Sequence, residues 1–507
     1  MPFTISPGVV TKEIDLTAVV PEISMTEGAI AGPFKWGPAV WRTTVSNESE
    51  MASVFGKPNA ATYKTWFTAA SYLAYSGNLK VVRAIHTTSN NAALTTALQV
   101  RNDEHYENTY DPDMGGSQIT TAGAFIAKYP GDLGNSLRVS MCGATRANTN
   151  NDGTLNSNTD VSPTCTSIVY THANTTVIGV DTTFRTDVAV GDVLFWDSKY
   201  ALVETVTSDT VLVASGDSSG MASAAAYTRR KRSAFGQPAS DMVGTCAASA
   251  NGVTITGTGT SFLTQYTVGD LVKLVGTTEE RKVSSITNST VMIVSTPFAN
   301  SAAANTHSRT WEYASAFDSE PVTSAHVKRN SGNYDEIHIA VVDEDGDITG
   351  ANNTVLETYT GSVAGGAKGE DGQSIYYKDL VNRGSKYLRW MDHHADGDAD
   401  TLLDSGTTAW GGVATGTFNG KGIIISGSLT GGTAGTAATA GQIQVAMDEF
   451  KNPEEVDVTL LMTADAVAAT QIHVINNIAE YRKDCVTFVS PLFGSVVNNS
   501  GSEIDSI

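Results

Sequence analysis

Two stretches in the middle of the chain follow the same pattern twice, and that duplication limits the fold more than any single motif. Thr183-Phe184 followed by Val190-Gly191-Asp192-Val193 is matched by Ser261-Phe262 followed by Val268-Gly269-Asp270-Leu271. Further along, the stretch from Val203 to Val211 is matched by the stretch from Val283 to Val291, with a change of spacing of two residues that a hairpin loop can absorb. Each copy alternates β-branched and polar residues between Gly-Asp and Ser-Asp or Asn-Ser turns, which is the pattern of a small antiparallel β module. Two copies are too few for a solenoid. The modules, at 160–232 and 240–312, are therefore expected as decorations inserted into a larger frame.

That frame lies in two blocks, 6–85 and 420–490. The first twenty residues read as extended, because Pro2, Pro7 and Pro21 oppose helix while Val9, Val10, Ile14, Val19 and Val20 favour strand. An arm of this kind, with no local partner, suits pairing with the sheet edge of another subunit. A helix is expected over 61–76, with Tyr63, Phe67, Ala70, Leu73 and Ala74 on its buried face, then a buried strand over 79–85. The second block alternates: strand 421–426, a helix carrying Ile443, Val445, Ala446, Met447 and Phe450, strand 456–462, a helix carrying Ile472, Ile475, Ile478 and Ala479, and strand 484–490. Strands alternating with helices imply βαβ units and a parallel sheet covered on both faces. The expected class is α/β and β, multi-domain: an α/β core with inserted antiparallel β domains.

Composition narrows the function. The 507 residues exceed one ordinary core. A balance of 32 basic against 53 acidic residues, net −21, argues against direct binding of nucleic acid, which needs a basic surface. Cys142, Cys165, Cys246 and Cys485 have no CxxC spacing, so neither a zinc site nor a disulfide framework is signalled. No run approaches the ~20 apolar residues of a membrane helix.

The motifs that hint at chemistry fail on their spacing. Leu402-Leu403-Asp404-Ser405-Gly406-Thr407 looks like half of an aspartic-protease site, but no second copy exists to share a proton. Asp343-Glu344-Asp345-Gly346-Asp347 starts like a calcium loop, yet Thr354 stands where a bidentate Glu is needed. It reads as a hairpin tip. In Asp392-His393-His394-Ala395-Asp396-Gly397-Asp398 the adjacent histidines cannot both face one metal on a regular element, so a solvated loop is expected. Gly361 through Lys368 misses phosphate-loop spacing. Arg229-Arg230-Lys231-Arg232, between the modules, reads as a solvated connector. No catalytic, cofactor or metal residue is assigned, and no enzyme activity is expected.

Several blocks resemble one family. Ser6-Pro7-Gly8-Val9 through Val81-Val82-Arg83-Ala84, then Tyr129-Pro130-Gly131-Asp132-Leu133-Gly134-Asn135, then Val456-Asp457-Val458 through Asp484-Cys485-Val486 to Ser490-Pro491 are similar, in order, to segments of contractile (T4-like) phage tail sheath proteins. The resemblance implies a virion subunit without cofactors, assembled in the host cytoplasm. It forms six-fold rings stacked helically around a tail tube, with baseplate and tail terminator proteins as further partners. Contraction drives the tube through the host envelope for genome ejection, with no membrane insertion by this chain. It implies an inter-subunit arm at Ser6, Pro7, Gly8, Val9, Lys12, Glu13, Ile14 and Asp15.

The implied layout is an arm at 1–22, an α/β sheath core at 23–100 and 391–491, a β-rich sheath domain at 101–150 and 313–390, the two modules, and a polar tail at 492–507. The family's α/β region is subtilisin-like, but the triad motifs are missing here. Sheath proteins continue past the Ser-Pro element into a C-terminal domain. Its lack here implies a truncated or split product, or an inner layer supplied by another chain. The alternative is a baseplate or adhesion component whose β modules bind carbohydrate through Trp196 and Tyr200, or Tyr266, in an exposed groove.

Overall fold

A computed structural model describes residues 26–144, 164–171, 176–188, 192–196, 199–215, 224–230, 235–239, 242–393, 408–418, 425–491, 493–497 and 501–502. Its contacts divide the chain into two units, Met1–Thr87 with Gly435–Ile507, and Thr88–Ala434.

The first unit is built on a five-stranded sheet in the order Arg42–Val45, Leu79–Arg83, Gly28–Gly32, Leu460–Met462, Val486–Phe488. All neighbours are parallel except Arg42–Val45, which runs antiparallel at one edge. Both faces are apolar because successive residues point to opposite sides. Ile30, Val81 and Met462 pack with Met51, Phe55, Trp66 and Ala69 from the helices Glu48–Phe55 and Tyr63–Leu73. Ala29, Ala31, Val82 and Leu461 pack with Ala446, Met447, Phe450, Val474 and Ile478 from the C-terminal helices.

Local chemistry sets the ends of these elements. Asn47 caps its helix by accepting from the Glu50 N–H at 2.9 Å. Thr439 and Gln442 form a reciprocal capping box on the helix Ala440–Asp448. Gly28 and Gly32 sit where an added Cβ would strike Tyr72 and Thr65, so their lack of a side chain lets the helix Tyr63–Leu73 lie close on the strand.

Two buried arginines explain motifs that the sequence showed without a reason. Arg83 donates to the backbone carbonyls of Phe34 at 2.9 Å, Lys35 at 3.2 Å and Gly37 at 2.8 Å, pinning the Pro33–Pro38 loop to the end of the strand Leu79–Arg83. Burial lowers its pKa to about 9. Arg482 donates to the carbonyls of Phe450 at 2.9 Å and Val456 at 3.0 Å and pairs with Asp484. Lys483, next in line, takes the left-handed conformation that ends the helix (φ 63°).

The second unit contains a four-stranded antiparallel sheet in the order Thr354–Ser362, Glu336–Asp343, Leu137–Gly143, Ile425–Ser428. Its last strand corrects the sequence expectation for 421–426. Instead of joining a parallel sheet, Ile425–Ser428 pairs antiparallel with Leu137–Gly143.

The two modules have the same strand order. The first runs Ala224–Ala226, Thr164–Thr171, Thr176–Val180, Val211–Ser215, Lys199–Val206, Val193–Trp196, Thr228–Arg230. The second runs Ala302–Asn305, Thr245–Ala248, Thr254–Thr258, Val291–Val294, Glu280–Asn288, Leu271–Leu274, His307–Thr310, with Gly236–Gln237 added outside. In each, one strand bent at Tyr227 or Thr306 pairs with both edges and so closes the sheet into a barrel.

The likeness reaches single bonds. Thr182 and Thr260 donate to the carbonyls of Asp209 and Ser289, and the N–H groups of Val203 and Val283 donate to the carbonyls of Asp192 and Asp270. The two-residue difference falls in one hairpin, which closes at Trp196 opposite Lys199 in the first barrel and at Lys273 opposite Glu280 in the second.

Two details of the expected faces differ. On the helix Tyr63–Leu73 the buried residues are Thr65, Trp66 and Ala69, while Tyr63 and Phe67 are exposed. Past Ala468–His473 the chain makes a π-helical turn, Val474–Ala479, which shifts the buried stripe to Thr470, Val474 and Ile478 and leaves Ile472 and Ile475 outside.

Candidate assembly surface

In the first unit, the strand Val486–Phe488 is hydrogen-bonded among the described residues on one side only, to Leu460–Met462. Val486 and Phe488 are 58% and 55% exposed, and Val489 beyond them is exposed as well. An edge with free backbone groups and apolar side chains is a template for another polypeptide strand. Beside it lies a groove of about 450 Å³, lined by Thr68, Ser71 and Tyr72 of the helix and by Leu460, Met462 and Phe488 of the sheet. On the same helix Tyr63 and Phe67 are exposed, with Tyr75 just past its end. Lys64 pairs with Asp465, an exposed ion pair that contributes little to stability. The arrangement offers apolar contact and backbone pairing.

Sequence reasoning read 484–490 as a strand but expected it covered on both faces. Its apolar run would look the same at the centre of a sheet or at an edge, so no local signal distinguishes the two. The residues expected to form the inter-subunit arm, Ser6 to Asp15, lie outside the described residues.

The motifs that hinted at chemistry are taken up in structure where they are described. Asp343 accepts from the Ser136 hydroxyl at 2.6 Å, from the backbone N–H groups of Gly346, Ile348 and Thr349, and from the Thr349 hydroxyl, so its carboxylate ties up a turn. Those bonds hold its pKa down against a desolvation that pushes it up. His393 Nδ1 lies 2.6 Å from the Tyr377 hydroxyl. Residues 394–407, including Asp404 and His394, lie outside the described residues.

Arg229 overturns the expected solvated connector. It lies in the barrel-closing strand, 3.8 Å from the buried Asp192. The aromatic groove expected on the modules is absent for the aromatic side chains described: Trp196 is 4% and Tyr266 3% exposed, both inside their barrels. The Tyr200 side chain lies outside the description. Among the described residues, no group of three or more His, Cys, Asp or Glu is placed to hold a metal, and no helix is long and apolar enough to cross a membrane.

Comparisons give the context for these surfaces. No family model matches the chain. The tail sheath protein of Vibrio phage KVP40 is 38% identical over 89 residues, 17% of this chain and 13% of that protein. The tail sheath protein of Enterobacteria phage T4 is 38% identical over 81 residues, 16% of this chain and 12% of that protein. The tail sheath protein of Salmonella phage ViI is 30% identical over 143 residues, 28% of this chain and 21% of that protein. A solved sheath tail protein from Listeria innocua aligns with 40% of this chain and 33% of its own, at 15% identity and a TM-score of 0.16.

The relatives matched in sequence are structural proteins of bacteriophage tails. The resemblance expected from the sequence is borne out: the chain is similar to phage tail sheath proteins. It spans 12 to 21% of the length of these relatives.

Proposed function

We propose that this chain is a structural subunit of a contractile phage tail sheath, located in the virion. The observation that carries the reading is its identity of 30 to 38% to three tail sheath proteins. In this reading, copies of the chain form six-fold rings stacked helically around a tail tube, and baseplate and tail terminator proteins hold the two ends. Contraction is a switch between two lattice arrangements of rigid subunits, and it pushes the tube through the host envelope for genome ejection. Residues 1–22 act as the arm that tethers neighbours.

Two features support the reading. The open apolar edge at Val486–Phe488 is a surface suited to another chain. A net charge of −21 keeps free subunits apart, so assembly waits for a nucleating partner. The experiment is electron microscopy of the purified chain mixed with tail tubes. A regular helical layer on the tubes is expected, and a chain that leaves the tubes bare, or binds only at their tips, overturns the reading.

A further inference from the structure

The groove beside Val486–Phe488 occupies one half of a sheet face. The strands Leu460–Met462 and Val486–Phe488 run parallel with Met462 opposite Phe488, so these two side chains share a face. Met462 packs there with Met51, Phe55 and Trp66 of the covering helices. The helix Tyr63–Leu73 lies over Gly28 and Gly32, where an added Cβ would strike Tyr72 and Thr65. Beside Tyr72 that cover ends. The groove of about 450 Å³ opens over Leu460 and Phe488, and Phe488 is 55% exposed.

The chain enters this unit at the rim of the same groove. The Thr26 carbonyl accepts from the hydroxyls of Tyr72 at 2.6 Å and Ser76 at 3.0 Å. Glu27 is tied to the start of the neighbouring strand. Its carbonyl accepts from the N–H groups of Thr459 at 2.9 Å and Leu460 at 3.0 Å, and its own N–H donates to Thr459 Oγ1 at 2.9 Å. Tyr72 and Leu460 both line the groove, so the Met25–Thr26 bond lies at the end where its strands begin.

The chain beyond the last strand is tied elsewhere. Ser490 also lines the groove, but its carbonyl accepts from Gln471 Nε2 at 2.7 Å. Gln471 lies on Ala468–His473, which runs into the turn Val474–Ala479. Val474 and Ile478 of that turn pack with Leu461 on the opposite face of the sheet. The bond therefore holds the end of the strand to the helices of that other face.

Size and reach select the occupant. Nine residues line the groove, against roughly 20–30 a side in a stable interface between separate proteins. A tethered segment needs far less contact, because its effective concentration is about millimolar. Residues 1–25 reach up to ~80 Å when extended at about 3.3 Å each, and three strand residues cover only ~10 Å. Leu16, Val19, Val20, Ile23 and Met25 put apolar side chains into the ten residues before Thr26. We infer that in the free chain this groove is occupied by the molecule's own residues 16–25, which cover Leu460 and Phe488. An occupant from the same molecule competes with any partner for Phe488 and so delays association of free chains. The inference does not depend on the sheath reading, since it concerns a single molecule.

The test uses the full chain with the photoreactive residue p-benzoylphenylalanine in place of Phe488, an exposed position. Equal amounts of unlabelled and nitrogen-15-labelled protein are mixed, irradiated and digested, and the cross-linked peptides are read by mass spectrometry. Cross-links from position 488 to residues 16–25 are expected, with both peptides carrying the same label. Val19→Asp with Ile23→Asp should lower their yield about tenfold, the effect of moving one aliphatic side chain from apolar contact to water. Thermal unfolding confirms that both proteins are folded. Cross-links to residues 492–507 instead, peptides of mixed label, or no cross-link at all overturns the inference. So does a yield that Val19→Asp with Ile23→Asp leaves unchanged.

Discussion

Arg309 reaches the carboxylate of Asp270 at 3.5 Å inside the second barrel, with both side chains almost wholly buried. The same acid also accepts from the Thr267 N–H at 2.8 Å, so it joins the closing strand to the turn before its neighbour. Removing one member of a buried pair leaves a charge without compensation, at a cost of about 3–5 kcal/mol. Arg309→Met alone is therefore expected to destabilise the protein by about that amount in urea denaturation. Arg309→Met combined with Asp270→Leu should recover most of the loss. A double variant as unstable as the single one would show that the pair does more than neutralise itself.

His307 gives the second barrel a dependence on pH. Its Nδ1 lies 2.7 Å from the Tyr266 hydroxyl and its Nε2 3.1 Å from the Val243 carbonyl. The neutral ring accepts from Tyr266 and donates to Val243, and burial lowers its pKa to about 4. An unfolded histidine titrates near ~6.5, so between there and pH 4 the unfolded chain gains a proton that the folded one refuses. The stability supplied by the neutral ring is present above ~6.5 and is lost as pH falls toward 4, by about 3 kcal/mol for a shift of this size. Denaturation at pH 7 and pH 4.5 should show a larger loss in the unaltered protein than in His307→Gln. Equal losses would count against this account.

The exposed edge separates folding from assembly. Val486 and Phe488 are mostly in solvent, so Val486→Lys with Phe488→Lys should change unfolding stability by no more than about 0.5 kcal/mol per site. The same double variant should fail to coat tail tubes, because charge on an edge strand blocks further pairing. Normal coating by the variant would remove this edge from the proposed interface.

The two barrels should differ in how easily they can be deleted. Trp311, which directly follows the second barrel's closing strand, donates from Nε1 to Ser140 Oγ at 2.9 Å and packs with Cys142, Ala340 and Val342. Glu312 lies 3.8 Å from Arg138. Deleting 164–230 should leave the sheet around Ser140 resistant to limited proteolysis. Deleting 164–312 removes Trp311 and Glu312 with the barrel and should make that sheet labile. Equal resistance of the two deletions would show that the second barrel is not rooted there.

The sequence revealed what local chemistry dictates. The paired turns and alternating residues of the modules announced two β units because each hairpin carries its own signal. The closing strands escaped notice, since Arg229 and Arg230 look solvated until Asp192, far back in the chain, appears beside Arg229. The helix Tyr63–Leu73 was placed but turned the wrong way. Its aromatic Tyr63 and Phe67 face solvent, whereas small Thr65 and Ala69 fit against the strands. The strand Ile425–Ser428 has the same β character whichever sheet it joins, and its partner Met141 lies in a distant part of the chain.

The bent closing strand has a consequence for the nascent chain. Each barrel stays open on the ribosome until its own last strand emerges, and the next copy, built to the same plan, offers a rival. Arg229 and Arg309 cannot discriminate, since an aspartate waits at the matching place in either barrel. The residues at the bend can. His307 requires the hydroxyl of Tyr266, and the corresponding place in the first barrel, just after its short helix, is held by Val188. A swapped closure would set the imidazole against the Val188 side chain with no hydroxyl to meet it, so the His307–Tyr266 pair disfavours that exchange.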